Sequence, residues 1–376
     1  MPESNGAVLQ CNQLINNLGK SIQFSVLTGT NNKALEGNDC VDGVCITRVF
    51  IPKDPSLWCA ISYLRFFIKL FIAVMKIDLI HIHGFSKRNA VVILVSRILN
   101  KKVILKMTSF GQDDPSSVKN CFPDIFWQIF KCCHAYIGLS PAFATSYQEA
   151  NLPENKYYSI PNGVDLERFF PLSNDERIEL RLKYGFSKDD KIILFVGHFS
   201  PEKRPMLLYR AWVKLCEQNI CTKLIFIGHT KNHFEVDGEM VDKIKKDAGA
   251  RKFSPLISFV ESTLHVDEFM KIADVFVMPS IREGLPNALL EAMSCAIPCV
   301  VTNLSGVTDW LIDDGKTGVL FRSDEPSDLY EKIIPYVTKQ TVSKQMGEAA
   351  RYSIEENFSS VSTSSQVFDL YRRIIH

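Results

Sequence analysis

The sequence contains no G-x-G-x-x-G and no D-x-D. The first absence disfavours a dinucleotide-binding dehydrogenase, and the second leaves no candidate for a metal-bridged nucleotide site. A diphosphate ligand would have to be neutralised by something else. Net charge is lacking as well. The 43 Lys and Arg against 42 Asp and Glu give +1 over 376 residues, so net charge supplies no field for nucleic acid or acidic lipid, and any anion site must be local. The 11 cysteines include the neighbours Cys132 and Cys133 but form no C-x-x-C pair. This is not the short, cysteine-dense composition of a disulfide framework, and reduced thiols in a cytoplasmic protein are expected. Met1 to Gly6 is polar and does not read as a secretory leader.

A membrane-spanning run is missing too. Leu57 to Lys76 contains ten Leu, Ile, Phe or Val residues, but Arg65 and Lys69 lie at its centre. The ten contribute roughly −3 to −6 kcal/mol to insertion and the two charges cost roughly 5 to 7. Its residues Leu57, Ile61, Leu64, Ile68, Phe71, Ile72 and Met75 follow helical spacing, with Ser62, Arg65 and Lys69 opposite. A helix burying that stripe on a sheet is the expected reading, and a basic, Phe-rich helix lying on a membrane surface is the alternative.

What is present is an α/β alternation long enough for two domains. In the first half, residues 6–19 read as a helix and 22–27 as a strand. Apolar strands follow at 44–50, 79–83, 103–107 and 135–139, between helices near 57–76, 87–99, 116–133 and 141–150. The second half places strands at 192–196, 224–228, 257–260, 275–278, 298–301 and 318–321, and helices at 326–337, 342–357 and 361–375. Runs this continuous suit parallel strands covered on both faces, with ligands at their carboxyl ends.

Three loops at such ends carry chemistry. Phe195 to Pro205, F-V-G-H-F-S-P-E-K-R-P, ends a strand on Gly197 and brings Lys203 and Arg204 back toward it. Met278 to Val301 breaks at Pro279, carries Glu283 and Gly284, and enters a helix with Pro286 near its first turn and Glu291 inside it. Backbone amides at such a helix start suit an anion. In the first half, His81 and His83 lie on one strand and are expected to point to opposite sides of it. His83 is the candidate for touching substrate. Thr108 ends the next strand, and Asp113 and Asp114 are explained equally by the cleft or by a turn before Pro115.

The string E-G-L-P-N-A-L-L-E from Glu283 to Glu291 resembles the E-x7-E signature of retaining glycosyltransferases of the GT-B fold, family 4. Tyr158 to Phe170, Y-S-I-P-N-G-V-D-L-E-R-F-F, resembles that family's interdomain crossover. The resemblance implies an α/β GT-B fold of two Rossmann-like domains facing across a cleft. The expected division is an amino-terminal acceptor domain at 1–165, a donor domain at 166–355, and a final helix at 356–376 packing back on the first. The family's opening strand has no counterpart, and Asn5-Gly6-Ala7 stands where its small-residue loop would be.

The implied reaction moves a hexosyl-type sugar from a UDP- or GDP-linked donor to a glycan or lipid-linked acceptor, with retention. It uses no metal or cofactor and takes place in the cytoplasm, with peripheral membrane contact as an added expectation and no nucleic acid partner. By this resemblance, Gly197, His198, Lys203, Arg204, Gly284, Leu285, Asn287, Leu289, Leu290 and Glu291 hold the donor. Glu283 faces the transferred sugar as nucleophile or orienter. Gly228-His229-Thr230 and Glu261-Ser262 border the base, and Gly6 and Thr108 lie on the acceptor side. His198 replaces the family's Arg, and Thr108 stands where many relatives have His. The competing readings are a non-catalytic nucleotide-sugar binder or partner subunit, and a nucleotide-sugar epimerase of the same fold.

Overall fold

The computed structural model describes residues 6–41, 43–52, 57–230, 236–261, 263–322, 324–338 and 340–376. Asn5 and Ser262 lie outside them, as do the side chains of 57–60 and 340–342. The chain forms two compact units. One gathers Ala7–Gly138, Phe143–Ile160 and Ser364–His376, and the other Gly6, Leu139–Ala142 and Pro161–Thr363.

The amino-terminal unit opens with α1 (Gly6–Leu18), β1 (Ser25–Thr30), β2 (Gly37–Val41), β3 (Val44–Phe50), α2 (Leu57–Met75), β4 (Leu79–His83) and α3 (Lys87–Ile98). It continues with β5 (Lys102–Lys106), α4 (Pro115–Cys121), α5 (Asp124–Phe130), β6 (Ala135–Gly138), α6 (Pro141–Glu149) and β7 (Tyr157–Ser159). The helix expected over 116–133 is two helices. Pro123 interrupts it and holds Phe122 in the extended region (φ −108°, ψ 153°).

The strands fall into two sheets rather than one. β1 pairs parallel with β3, which pairs antiparallel with β2, while β4-β5-β6-β7 form a separate parallel sheet. No strand precedes α1 among the described residues, and β1 and β4 are the edges where the two sheets stop. They are correspondingly more exposed than the fully enclosed β6. A shared core of Val49, Ile51, Phe66, Leu70 and Val74, joined by Leu27 and Ile80, packs both sheets against α2 and α3.

The carboxyl-terminal unit contains α7 (Asn174–Lys183), β8 (Ile192–Val196), α8 (Pro205–Glu217), β9 (Lys223–Ile227), α9 (Gly238–Ala250), β10 (Ile257–Val260), α10 (Val266–Ile272) and β11 (Val275–Met278). Then come α11 (Asn287–Ser294), β12 (Cys299–Thr302), α12 (Thr308–Leu311), β13 (Val319–Phe321), α13 (Pro326–Thr338), α14 (Gln340–Asn357) and α15 (Ser360–Ile375), whose last turns belong to the amino-terminal unit.

Its six strands are all parallel in the order β10-β9-β8-β11-β12-β13. The chain winds outward from β8 to one side and from β11 to the other, so the order reverses between these two strands. That switch point leaves a crevice beyond their carboxyl ends. The sheet is buried on both faces, with Phe195, Phe226 and Val277 in a core completed by Trp212 and Leu208 of α8. α7, the charged helix after the crossover, is anchored by Arg181. Its guanidinium donates to the carbonyls of Ile272, Lys188 and Asp190 and to Asp274.

The structure reverses the expectation for α2. Ser62, Phe66, Leu70 and Val74 are the buried stripe, while Ile61, Leu64, Ile68, Phe71, Ile72 and Met75 lie in solvent. The helix is apolar on two sides, and periodicity alone does not say which one meets the sheet. No helix among the described residues is long and apolar enough to cross a membrane.

Candidate active site

The two strands at the switch point each lead into one of the predicted loops, and the loops meet through an ion pair. Lys203, in the loop after β8, donates from Nζ to Glu283 Oε1 in the loop after β11 at 2.6 Å. Both side chains are largely withdrawn from water, at 27% and 11% exposure. Such a charge-assisted bond is stronger than a neutral one. Next to Lys203, Arg204 begins α8 in the left-handed region (φ 48°, ψ 47°). Its guanidinium is tied to the Pro279 carbonyl at 2.6 Å, to Thr302 Oγ1 at 3.3 Å and to Asp324. Arg204 thus clasps β8 to β11 and β12, whereas Lys203 stands at the crevice.

Gly197 and Gly228 bring the loops after β8 and β9 into backbone contact. A Cβ on Gly228 would lie 2.0 Å from the Gly197 carbonyl oxygen. This close approach stacks His198 on His229, with ring centroids 5.8 Å apart and planes 8° from parallel. Thr230 then joins the third loop, its amide donating to Glu261 at 3.3 Å and its hydroxyl to the other carboxylate oxygen. Gly197, His198, Gly228 and Glu261 are therefore assembled along one rim of the sheet.

Pro286 is the N-cap residue of α11, at the helix start where the sequence reading placed it. The amides of Leu289 and Leu290 both donate to the Pro286 carbonyl, at 3.1 and 3.3 Å, and their side chains are fully buried. Neither has a donor to offer a ligand, which removes these two from the predicted phosphate contacts. Gly284 and Leu285 lie before the helix, both buried, and Asn287 opens it, its Oδ1 accepting from Asn162 Nδ2 at 2.9 Å. Glu291 sits in the second turn. Burial pushes its carboxyl up to about 7; Arg168 opposes that shift and Asp267 adds to it. Those two neighbours are themselves paired at 2.8 Å.

On the amino-terminal unit the predicted residues are framed by capping carboxylates. Asp113 accepts from the Thr108 amide and hydroxyl and from the Ser109 amide at 2.8 to 2.9 Å. Burial pushes its carboxyl up to about 6 while those bonds pull it down. Asp114 caps α4 through Ser117 N at 3.1 Å, with Pro115 as the first helical residue. Asp114 thus makes the expected cap before Pro115, while Asp113 closes the loop back on Thr108 and Ser109. Gly84, at φ +77°, brings the loop after β4 against Thr108 and Asp113. Gly6 is the first residue of α1.

His81 and His83 do not diverge as expected. Residues two apart on a strand share a face, and the rings stack with centroids 4.5 Å apart. His81 Nδ1 meets the Tyr371 hydroxyl at 2.5 Å. Burial, followed by the nearby Lys106 charge, lowers His83 to about 3. The ring is neutral at physiological pH and a weak base.

The family profile of Glycosyl transferases group 1 matches residues 176–353, and that of Glycosyltransferase Family 4 matches residues 4–168. The chain is a family 4, group 1 glycosyltransferase. This glycosyltransferase is 26% identical over 304 residues to the UDP-Gal:alpha-D-GlcNAc-diphosphoundecaprenol alpha-1,3-galactosyltransferase of Escherichia coli, covering 79% of this chain and 75% of that one. It is 22% identical to the N-acetyl-alpha-D-glucosaminyl L-malate synthase of Bacillus anthracis, over 80% and 76% of the two chains. In three dimensions it is similar to Anabaena HepE crystallised with UDP and glucose (TM-score 0.77, 17% identity, 98% and 96% covered). It is also similar to sucrose-phosphate synthase of Thermosynechococcus elongatus (TM-score 0.79, 17% identity, 98% and 94% covered). These likenesses establish the GT-B fold.

Sequence reasoning missed three residues that frame the glycosyltransferase's candidate site. Arg168 and Asp267 form the charged pair beside Glu291, and Thr302 shares the Arg204 clasp. Arg168 was visible inside the crossover string, but nothing in the sequence ties it to a residue 99 positions away.

Proposed function

We propose that this glycosyltransferase transfers a hexosyl-type sugar from a UDP-linked donor to a glycan or lipid-linked acceptor. On this reading it retains anomeric configuration, uses no metal, and works at the cytoplasmic surface of a membrane. The observation that carries the reading is the Lys203–Glu283 pair at the sheet's switch point, one cation and one carboxylate held 2.6 Å apart where a ligand of this fold would lie. UDP is preferred to GDP because UDP appears in the names of both the E. coli relative and the Anabaena complex.

The donor diphosphate would take Lys203 from its carboxylate partner and rest against the backbone before α11, from Gly284 to Asn287. A fixed cation there stabilises the charge that develops on the leaving diphosphate, as an electrophilic metal would. Glu291, once ionised, accepts from the ribose hydroxyls, a role open only to an acceptor. Glu283 and Gly284 orient hydroxyls of the transferred sugar. The bond from the anomeric carbon to the β-phosphate oxygen breaks, and a bond to the acceptor oxygen forms on the same face. The acceptor's proton passes to the departing phosphate, so no enzyme base is required, in keeping with a neutral His83 of very low basicity.

Hydrolysis and transfer from a panel of UDP-, GDP- and ADP-sugars, with EDTA present, test the reading. One donor should turn over undiminished by EDTA, and Lys203→Met should lower kcat/KM by about 100- to 1,000-fold, the usual loss of one transition-state donor. Loss of turnover on EDTA addition would refute the metal-free mechanism. A folded protein that binds a donor but transfers to no acceptor would favour the binder instead.

A further inference from the structure

β2 and β3 bring together two thiols that the sequence separates by four residues. The string C-V-D-G-V-C from Cys40 to Cys45 has none of the spacing of a redox or metal motif. Only residues 42 and 43 lie between the two strands, however, and Gly43 turns the chain at φ +80°. The antiparallel register then sets Cys40 directly opposite Cys45, and Val41 opposite Val44. The pair that closes a two-residue turn exchanges the ladder hydrogen bonds, so Cys40 and Cys45, the next pair, is of the kind that does not. Opposed Cα atoms of that kind lie about 4.5 Å apart, with both side chains on one face. A disulfide needs about 4.4–6.8 Å. The bond can therefore form with no shift of register.

Exposure and support point the same way. Cys40 and Cys45 are both exposed and unbridged, while Val44 and Ile46, on the opposite face of β3, are buried. The two thiols lie outside the core, and β2 is an edge strand of its sheet. Their register is held independently of them, because Arg48 of β3 pairs with Asp39 of β2. A small oxidant reaches both sulfurs, and a bond so exposed is equally open to reduction. Such a bond suits a reducing compartment, where disulfides are transient rather than structural.

We propose that Cys40 and Cys45 form a thiol–disulfide exchange site that takes low-molecular-weight disulfides such as glutathione disulfide. One thiolate attacks the disulfide, forming a mixed disulfide and releasing one reduced thiol. The opposite thiolate then attacks the protein sulfur of that mixed disulfide and expels the second reduced thiol. The protein gives up two electrons and two protons, and the two released thiols carry them away. The product staples the edge strand β2 to β3. The pair lies in a different unit from Lys203, Glu283 and Glu291, and the inference does not rest on the donor reading.

The test is oxidation of the purified, reduced full chain with glutathione disulfide, followed by alkylation, trypsin and mass spectrometry. Cleavage after Lys33 and Arg48 yields one peptide whose only cysteines are Cys40 and Cys45. It should resist alkylation, weigh two hydrogens less than the reduced form and revert with dithiothreitol. A thiol held opposite another acts at an effective concentration of about 1 mM or more. At about 0.01 mM reduced glutathione, the internal bond should therefore exceed the mixed disulfide by about 100-fold. Cys40→Ser and Cys45→Ser should each keep glutathione on the remaining sulfur. Amide exchange in β2 should slow when the wild type is oxidised and not in either variant. Stable glutathione on the wild-type pair, a covalent dimer through either sulfur, or β2 exchange unchanged by oxidation would overturn the proposal. The wild-type peptide alone decides the outcome if a variant fails to fold.

Discussion

Glu291→Gln separates what a buried carboxylate costs from what it does. Burial raises the Glu291 carboxyl from 4.5 to about 7 in the folded chain. A folded value above the unfolded one means that the proton favours folding below pH 4.5 and that this contribution is lost as pH rises through about 7. With about 1.4 kcal/mol per unit of difference, the wild type should lose about 2 kcal/mol between about pH 5.5 and pH 8.5 that the uncharged variant keeps. Urea denaturation at the two pH values gives the number directly. The expected result is a variant whose stability advantage grows by about that amount on going alkaline.

Function should move the other way. An ionised acceptor for the ribose hydroxyls contributes about 1.5–3 kcal/mol per charged hydrogen bond, so donor KM should rise by about 10- to 150-fold in the variant. The wild-type KM should fall as pH rises through about 7, and this dependence should vanish with glutamine. The reasoning fails if the stability difference is the same at both pH values. It also fails if KM in the variant still follows the wild-type pH profile, since some other group would then be titrating.

Two further substitutions test the framework. Gly228→Ala should cost about 1–3 kcal/mol of stability and weaken donor binding, because the new Cβ meets the Gly197 carbonyl at 2.0 Å, backbone against backbone; thermal unfolding and donor titration read both effects. Asp274→Ala should destabilise by about 3–5 kcal/mol in chemical denaturation, because it leaves Arg181, 4% exposed, as a buried charge without its carboxylate and also frees the first amide of β8.

Local chemistry was legible in the sequence where it depends on neighbours along the chain. The strand that breaks at Pro279, the loop with Glu283, and the helix containing Glu291 follow from apolar runs and proline placement, and so do the six parallel strands of the carboxyl-terminal sheet. The same string was less informative about amides. Whether Pro286 is the cap or the first helical residue moves the unpaired donors by one position, and only the structure shows its carbonyl taking Leu289 and Leu290. The Lys203–Glu283 contact spans 80 residues and exists because β8 and β11 are adjacent in space, which composition does not encode. His81 and His83 were different: the two-residue strand period already places them on one face, and the divergent orientation expected for them contradicted it.

α2 shows why the remaining surface could not be read. Hydrophobic periodicity selects a side of a helix only when the other side is polar, and here Ile61, Leu64, Ile68, Phe71, Ile72 and Met75 compete with Phe66, Leu70 and Val74. The sheets accept the second set, since it meets Val49 and Ile51 across a compact core. A chain relying on α2 only for packing would gain from polar residues at the first set, because exposed apolar side chains promote aggregation and do not stabilise the fold. Their presence beside Lys69 and Lys76 on a chain of otherwise balanced charge therefore argues for a surface that is covered when the enzyme works. Lys203, Glu283 and Glu291, the residues proposed to meet the donor, all lie on the other unit, so a substitution on the exposed face of α2 falls in a different unit from them.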